Sequence, residues 1–364
     1  MEDKKIRVAI THGDTNGIGY EVILKAFEDP TMLEFCTPII YGSSKVASYH
    51  RKAMELETQY NVISKAEDAH PNRVNLLSTF DEEVKVEFGQ PTAESAEAAR
   101  KAMARAKEDL QKGLFDVLVT APVQSAPNPT REDKALTVMC SDRVRIGLVT
   151  THLPIKEVSQ AITVEKIVDK GTIFHTSLRR DFRISSPRIA VLALNPQPGT
   201  EEEQIIKPAV ETLEKNGIQA FGPYVADEFF GKDMYYDFDG VLAMYDDQGV
   251  VPFKTLSQEY GVKLKAGISA VVVTPDHGPA FDIAGKGEAD PQSMLHAIYT
   301  AIDMFRHRAE YDAPLGNPLP KLYHEKREDG DKARFAIRAK DQFKTPLEKC
   351  FSVKILPKLQ IYRK

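Results

Sequence analysis

The chain has 364 residues, 42% of them hydrophobic and 28% charged, with a formal net charge of −5. That length holds two domains or one large two-lobed unit, the composition is that of an ordinary globular protein, and the acidic balance argues against a general binder of nucleic acid or anionic membrane. Cys36, Cys140 and Cys350 follow no disulfide or zinc spacing and no apolar run reaches the length of a membrane span, so the expectation is a cytoplasmic protein.

Ile6–Ile10 reads as a strand, followed by Thr11-His12-Gly13-Asp14-Thr15-Asn16-Gly17-Ile18-Gly19 and a helix over 20–27. Strand, glycine turn and helix in succession is how a parallel α/β sheet begins. Val22 stands where a dinucleotide fingerprint needs its third glycine, so that fingerprint fails. Pro38–Tyr41 reads as a second strand, with a helix through Val46 and His50 after it, and Glu82–Phe88 as a further strand. Residues 92–112 predict a helix closed by Gly113, and Asp116–Thr120 a strand. Val144–Val149, Arg188–Ala193 and Gly240–Met244 read as strands. Residues 164–180 predict a helix with Ile167, Val168, Phe174 and Leu178 on one face. Pro291–Arg306 is expected as a core helix through Met294, Leu295, Ile298, Ile302 and Phe305, and from about His307 the pattern weakens. The alternation predicts a doubly wound α/β sheet.

Three of these strands run into polar turns: Thr150-Thr151-His152-Leu153-Pro154, Leu194-Asn195-Pro196-Gln197-Pro198-Gly199 and Tyr245-Asp246-Asp247-Gln248-Gly249. Residues 274–291, TPDHGPAFDIAGKGEADP, then place Gly278, Gly285 and Gly287 among Asp276, His277, Asp282 and Lys286, with apolar Ala280, Ile283 and Ala284 between them. Glycine lets a backbone approach a ligand closely, and an apolar surface with a few placed polar groups suits a nucleotide. The same residues also describe a glycine-rich turn after a buried strand.

Taken together, HG-x-A-x-DIAGKG-x-A-x-P, TTHLP, MY-x-DQG and Thr120-Ala121-Pro122-Val123 resemble the PdxA family, the 4-hydroxythreonine-4-phosphate dehydrogenases of the isocitrate/isopropylmalate dehydrogenase superfamily, over about residues 6–308. The resemblance implies a two-lobed α/β/α subunit. Residues 1–121 plus 255–308 would form the first lobe, 122–254 the second and 309–364 a C-terminal extension. It implies a homodimer whose clefts take residues from both subunits. It further implies NAD or NADP held at Asp276, His277, Gly278, Ala280, Asp282, Gly285 and Lys286, and oxidation of a small anionic hydroxy acid in pyridoxal phosphate synthesis. Lys254 and Asp247 are the expected catalytic groups.

The chain departs from that family at several places. Of three metal-binding histidines it keeps His152, while Gln197 and Asp246 occupy the other two positions. Of the substrate residues it keeps Lys254, with Lys263 and Val272 in place of an asparagine and an arginine. Gln124–Asp133 stands where the family has Gly-His-Thr-Glu. Two readings accommodate this. In one, His152, Asp246, Asp247 and Gln197 hold a harder divalent ion, Mg²⁺ or Mn²⁺ rather than Zn²⁺. In the other, the chain is a catalytically silent, nucleotide-binding or regulatory homodimer. The corresponding structural readings are a strand-end histidine at 152 and a turn-capping aspartate pair at 246–247.

Overall fold

The computed structural model describes residues 5–80, 83–123, 135–257 and 260–316. In chain order these form β1 (Ile6–Thr11), α1 (Gly19–Ala26), the single turn α2 (Met32–Phe35), β2 (Cys36–Gly42), α3 (Ser44–Ala53), β3 (Tyr60–Ile63), β4 (Val74–Ser78), α4 (Ala93–Gln111) and β5 (Val117–Thr120). There follow β6 (Leu136–Cys140), β7 (Arg145–Leu148), α5 (Ile155–Ala161), α6 (Val164–Arg180), β8 (Arg188–Leu192), α7 (Lys207–Lys215), β9 (Gln219–Tyr224) and α8 (Ala226–Gly231). The last elements are β10 (Gly240–Ala243), α9 (Asp246–Ser257), β11 (Val262–Ala266), β12 (Val271–Pro275) and α10 (Gln292–Gly316). The mixed α/β architecture is as expected.

Local chemistry explains several of the boundaries. The α4 helix starts with a capping box, in which the Thr92 hydroxyl accepts from the Ser95 amide at 3.1 Å and the Ser95 hydroxyl from the Thr92 amide at 3.3 Å. Gly113, at φ +69°, follows its last turn. Ser43 and Thr163 cap α3 and α6 by one bond each, their hydroxyls accepting from the Val46 and Lys166 amides.

The twelve strands form one sheet in the order β3-β4-β2-β1-β5-β12-β11-β6-β7-β10-β8-β9. The six from β3 to β12 are mutually parallel. Strand β11 is antiparallel to both β12 and β6, and β6 is antiparallel to β7. From β7 the strands β10, β8 and β9 run parallel again. The two parallel blocks therefore run in opposite directions. The strand ends at Thr11, Thr120 and Pro275 lie at one end of the sheet, and those of β7, β10 and β8 at the other. This inversion decides how the candidate functional residues are distributed.

The α10 helix packs across β12, β5 and β11 and also touches α1 and α6. Its fully buried Met294, Ala297, Ile298 and Ala301 supply the apolar face. Near its end, the buried Arg308 donates to Asp181 at 2.6 Å and to the carbonyls of Ile268, Ser269 and Ala270, tying α10 to α6 and to the β11–β12 turn. The described residues form one compact unit.

Some sequence expectations need correction. Within Glu82–Phe88 the described residues, from 83 on, form no strand. The Glu87 and Gly89 amides instead donate to Asn16 at 2.9 and 3.0 Å, so this segment follows the glycine turn after β1. Strands β3, β4, β6, β9 and β11 are short and were not expected, while β12 is the buried strand that precedes the glycine-rich turn. The α10 helix continues past residue 308 to Gly316. The substituted segment Gln124–Asp133, Cys350 and most of the 309–364 extension lie outside the described residues. No helix among the described residues is long and apolar enough to cross a membrane.

Candidate active site

At the first end of the sheet, the glycine turn after β1 and the 274–291 loop form one locked structure. The Ile18 amide donates to the Pro279 carbonyl at 3.0 Å. At Gly17 a Cβ would stand 2.6 Å from that same oxygen, so the approach requires glycine. Gly285, at φ +79°, lies against the Phe88 ring. Lys25 donates to the Gly287 and Ala289 carbonyls, both at 2.8 Å, and to Glu21 Oε1 at 2.9 Å. The fully buried Glu21 carboxylate also accepts from the Ala289 amide at 2.8 Å.

Within the loop, Asp276 Oδ1 lies 2.7 Å from Lys263 Nζ, and its side chain is almost wholly buried. His277 Nδ1 is 2.9 Å from the Gly278 carbonyl, while its buried Nε2 has no partner among the described residues. Burial holds the His277 imidazole below its ordinary pKa against the opposing effects of the Gly278 carbonyl and Asp276, and the cationic Lys263 and Lys254 act with burial. The ring is therefore neutral at neutral pH. A Cβ at Gly278 would meet nothing within 4 Å, so the backbone there faces open space. Asp282 and Lys286 are exposed, and Ala280 takes φ +45°.

At the opposite end, β7, β10 and β8 are neighbours, which brings the loops carrying His152, Asp246 and Gln197 side by side. The His152 amide, at φ +56°, donates to the Asp246 carboxylate. That carboxylate secures the backbone of the neighbouring loop, a role that spacing alone did not indicate. The His152 and Gln197 side chains are exposed, as is Asp247. Thr150, Leu153, Ile155, Val158, Tyr245, Asp246 and Asp247 line a small cavity of about 80 Å³. Buried Gln248 accepts from the Met244 amide at 2.7 Å and donates to the Ala193 carbonyl at 2.6 Å, joining the ends of β10 and β8.

A divalent ion requires convergent donors. Among the described residues no three His, Cys, Asp or Glu side chains converge in this way, and Asp246 already accepts from a backbone amide. His152, Gln197 and Asp246 of one chain do not fit a closed metal site.

Glu202, in the turn after β8, carries a structural role that the sequence concealed within a run of glutamates. Only 1% exposed, it accepts from the Leu194, Asn195 and Gly199 amides at 2.9, 2.8 and 2.7 Å. Replacing it with alanine leaves these donors unsatisfied and is expected to cost about 3 kcal/mol, read as a lower urea midpoint. Burial pushes its carboxyl up, but the Gly199 and Asn195 hydrogen bonds outweigh this and set it below the usual range. Its contribution is therefore complete above the ordinary glutamate pKa and is lost as pH falls through the lowered folded-state value.

The predicted residues thus form two groups. Asp276, His277, Gly278, Ala280, Asp282, Gly285 and Lys286 share one loop, and Lys254 lies in the last turns of α9, ahead of the start of β11 that pairs with Pro275 at that end of the sheet. His152, Gln197, Asp246 and Asp247 lie at the other end. Asp247 and Lys254 belong to the same helix, α9, but seven residues apart, about 10 Å along its axis. The residues that sequence reasoning missed are Glu21, Lys25, Gln248 and Glu202, each a buried or half-buried side chain that binds backbone far away in sequence or in a turn.

Comparison with known proteins agrees with this architecture. A family profile described as pyridoxal phosphate biosynthetic protein PdxA matches residues 34–301. A protein of Bacteroides thetaiotaomicron named 4-hydroxythreonine-4-phosphate dehydrogenase is 48% identical over 357 residues, covering 92% of this chain and 98% of the relative. The crystal structure of a 4-hydroxythreonine-4-phosphate dehydrogenase from Burkholderia phymatum superposes with a TM-score of 0.67 at 29% identity, over 83% of this chain and 99% of that one. The corresponding enzyme from Klebsiella pneumoniae gives a TM-score of 0.69 at 25% identity, over 83% and 100% of the two chains. With its profile match spanning most of the chain and near-complete coverage of a relative sharing almost half its residues, this chain belongs to the PdxA family.

Proposed function

We propose that this chain is an NAD(P)-dependent dehydrogenase that oxidises the secondary alcohol of a small phosphorylated hydroxy acid, 4-hydroxythreonine 4-phosphate as in the names of its relatives. The observation that carries this reading is the 274–291 loop, clamped to the glycine turn by Lys25 and Glu21 and open to solvent at Gly278. Bound NAD(P)+ would supply the hydride acceptor. Around it, the loop backbone holds the nucleotide, neutral His277 presents an unpartnered Nε2, and Lys254 attracts the anionic substrate. Identity of 48% across 98% of a relative named as a dehydrogenase argues against the silent, purely regulatory alternative.

The lobes of this reading divide between β11 and β6. A homodimer would bring one subunit's strand-end cluster around Asp246 towards its partner's Lys254–His277 side, uniting groups that lie at opposite ends of a single sheet. Exposed Ile155, Tyr236 and Val251, on elements of the second lobe, supply apolar surface for such a contact.

The test is reduction of NAD+ or NADP+ at 340 nm with 4-hydroxythreonine 4-phosphate. Turnover is expected, with kcat/KM lowered at least about 100-fold by Lys254→Met, as befits loss of a charge-assisted contact in a partly desolvated site. Cofactor binding with no reduction of either nucleotide would instead establish the silent alternative.

A further inference from the structure

On the side of the sheet covered by α6 and α10, a cavity of about 170 Å³ shares no residue with the candidate active site. Its walls come from the β6–β7 turn, the end of α6, the start of β11 and one stripe of α10. His296, Thr300, Asp303 and His307 follow the spacing of a single helix face, so this stripe is polar where the neighbouring Ala297, Ile298 and Ala301 enter the core. Ser141 fixes the β6–β7 turn, its hydroxyl accepting from the Arg143 and Val144 amides, both at 3.3 Å. That turn presents Asp142 and Arg145 to the cavity.

The charges that line this cavity do not satisfy one another. Half-buried Arg145 carries its guanidinium 4.8 Å from the centre of the Phe182 ring, and its buried Nε has no partner among the described residues. Neither Arg145 nor the exposed Asp142 and Asp303 has an ion-pair partner among those residues. Asp181, the third carboxylate, is committed to Arg308 and to Ser177, both at 2.6 Å. Burial pushes the Cys140 thiol up to about 11 against the lowering effect of Arg145, so it stays neutral and supplies no counter-charge. A half-buried cation without an acceptor is costly until an oxyanion completes it. Arginine's planar fork matches a carboxylate, and the two unpaired aspartates match an ammonium group. Phe182, Met304 and Val262 leave apolar surface in the same cavity.

We propose that this cavity binds a small apolar amino acid, with its carboxylate on Arg145 and its ammonium group towards Asp142 and Asp303. A volume of about 170 Å³ is below the roughly 300–1,000 Å³ of a site for a drug-sized molecule, so the ligand is small. Val262 pairs with Pro275 at the end of β12, which puts the ligand beside the strand ends from which the 274–291 loop departs. Such a site does not depend on the proposed reaction.

Calorimetric titration of L-alanine, L-valine and L-leucine into the full chain tests the site. At least one is expected to bind with a Kd of about 1 mM or lower. The amine and the acid that match the tightest binder, isobutylamine and isovalerate for L-valine, each lack one charge. Both should bind at least about tenfold more weakly, the scale of one lost charged hydrogen bond. Arg145→Met and the double variant Asp142→Asn/Asp303→Asn should each weaken the amino acid by a similar factor, and Arg145→Lys should recover part of the loss. The double variant changes only exposed positions, so its circular dichroism and urea midpoint should be native and the test survives a failure of Arg145→Met to fold. Lys254→Met should bind the amino acid as the unmodified protein does.

Binding that neither the arginine nor the aspartate variants weaken would overturn the proposal. Loss of binding in Lys254→Met would place the ligand in the candidate active site and overturn it too, as would failure of all three amino acids to bind.

Discussion

Replacing Arg308 with methionine is expected to lower stability by about 3–5 kcal/mol, because it strands a buried carboxylate. Arg308 and Asp181 are 7% and 3% exposed and lie 2.6 Å apart. The guanidinium also satisfies the Ile268, Ser269 and Ala270 carbonyls at 3.2, 3.0 and 3.1 Å, and the other Asp181 oxygen accepts from Ser177 at 2.6 Å. Arginine suits this place because its planar fork serves several acceptors at once, which lysine cannot reproduce. Arg308→Lys should therefore recover only part of the loss. A paired Arg308→Met/Asp181→Leu variant should cost less than the sum of the two single changes, since the stranded charge is gone. Urea unfolding checks all three. A loss below about 1 kcal/mol for Arg308→Met would mean that water reaches Asp181, the behaviour of an exposed pair.

Lys25→Met is expected to weaken cofactor binding by tenfold or more while lowering global stability less. Lys25 is the outer latch on the 274–291 loop, with carbonyl contacts to Gly287 and Ala289 and a 2.9 Å ion pair to Glu21. Glu21 has no exposure and its Oε2 has no partner among the described residues, so after loss of Lys25 its charge keeps only the Ala289 amide. Removing charged hydrogen bonds at a buried carboxylate costs about 2–3 kcal/mol. That cost is most readily relieved by local release of the loop, because loop segments open at lower free energy than core strands. The reading is a higher KM for NAD(P)+, with faster amide exchange confined to residues around 285–289. Equal losses in global stability and cofactor affinity would show that the latch holds the fold and not the loop.

Much of the fold was legible because parallel strands buried on both faces appear as short apolar runs, as in Val117–Thr120 and Gly240–Ala243. The α4 and α6 helices were legible because threonine caps and helical periodicity agree over 19 and 17 residues. Strand β11 was not, since its alternation of lysine with apolar residues between Gly261 and Gly267 spans only five residues, too few to separate a strand from a loop. The 82–88 segment misled because its alternating Val84, Val86 and Phe88 resemble a strand, whereas its backbone partners belong to Asn16.

At the site, local sequence determined which residues share a loop: the glycines, Asp276 and His277 are neighbours in the chain, and covalent connection alone keeps them together. Tertiary structure alone decided which distant groups meet. The antiparallel passage through β11 and β6 reverses the second block of strands, so the His152–Asp246 cluster lies at the other end of the sheet from Lys254 and His277. Register likewise set Lys263 beside Thr274, and burial turned Glu202 from one glutamate in a run into the anchor of a turn. These outcomes depend on strand direction, cross-strand pairing and desolvation, which are properties of the assembled sheet and not of any short stretch of chain.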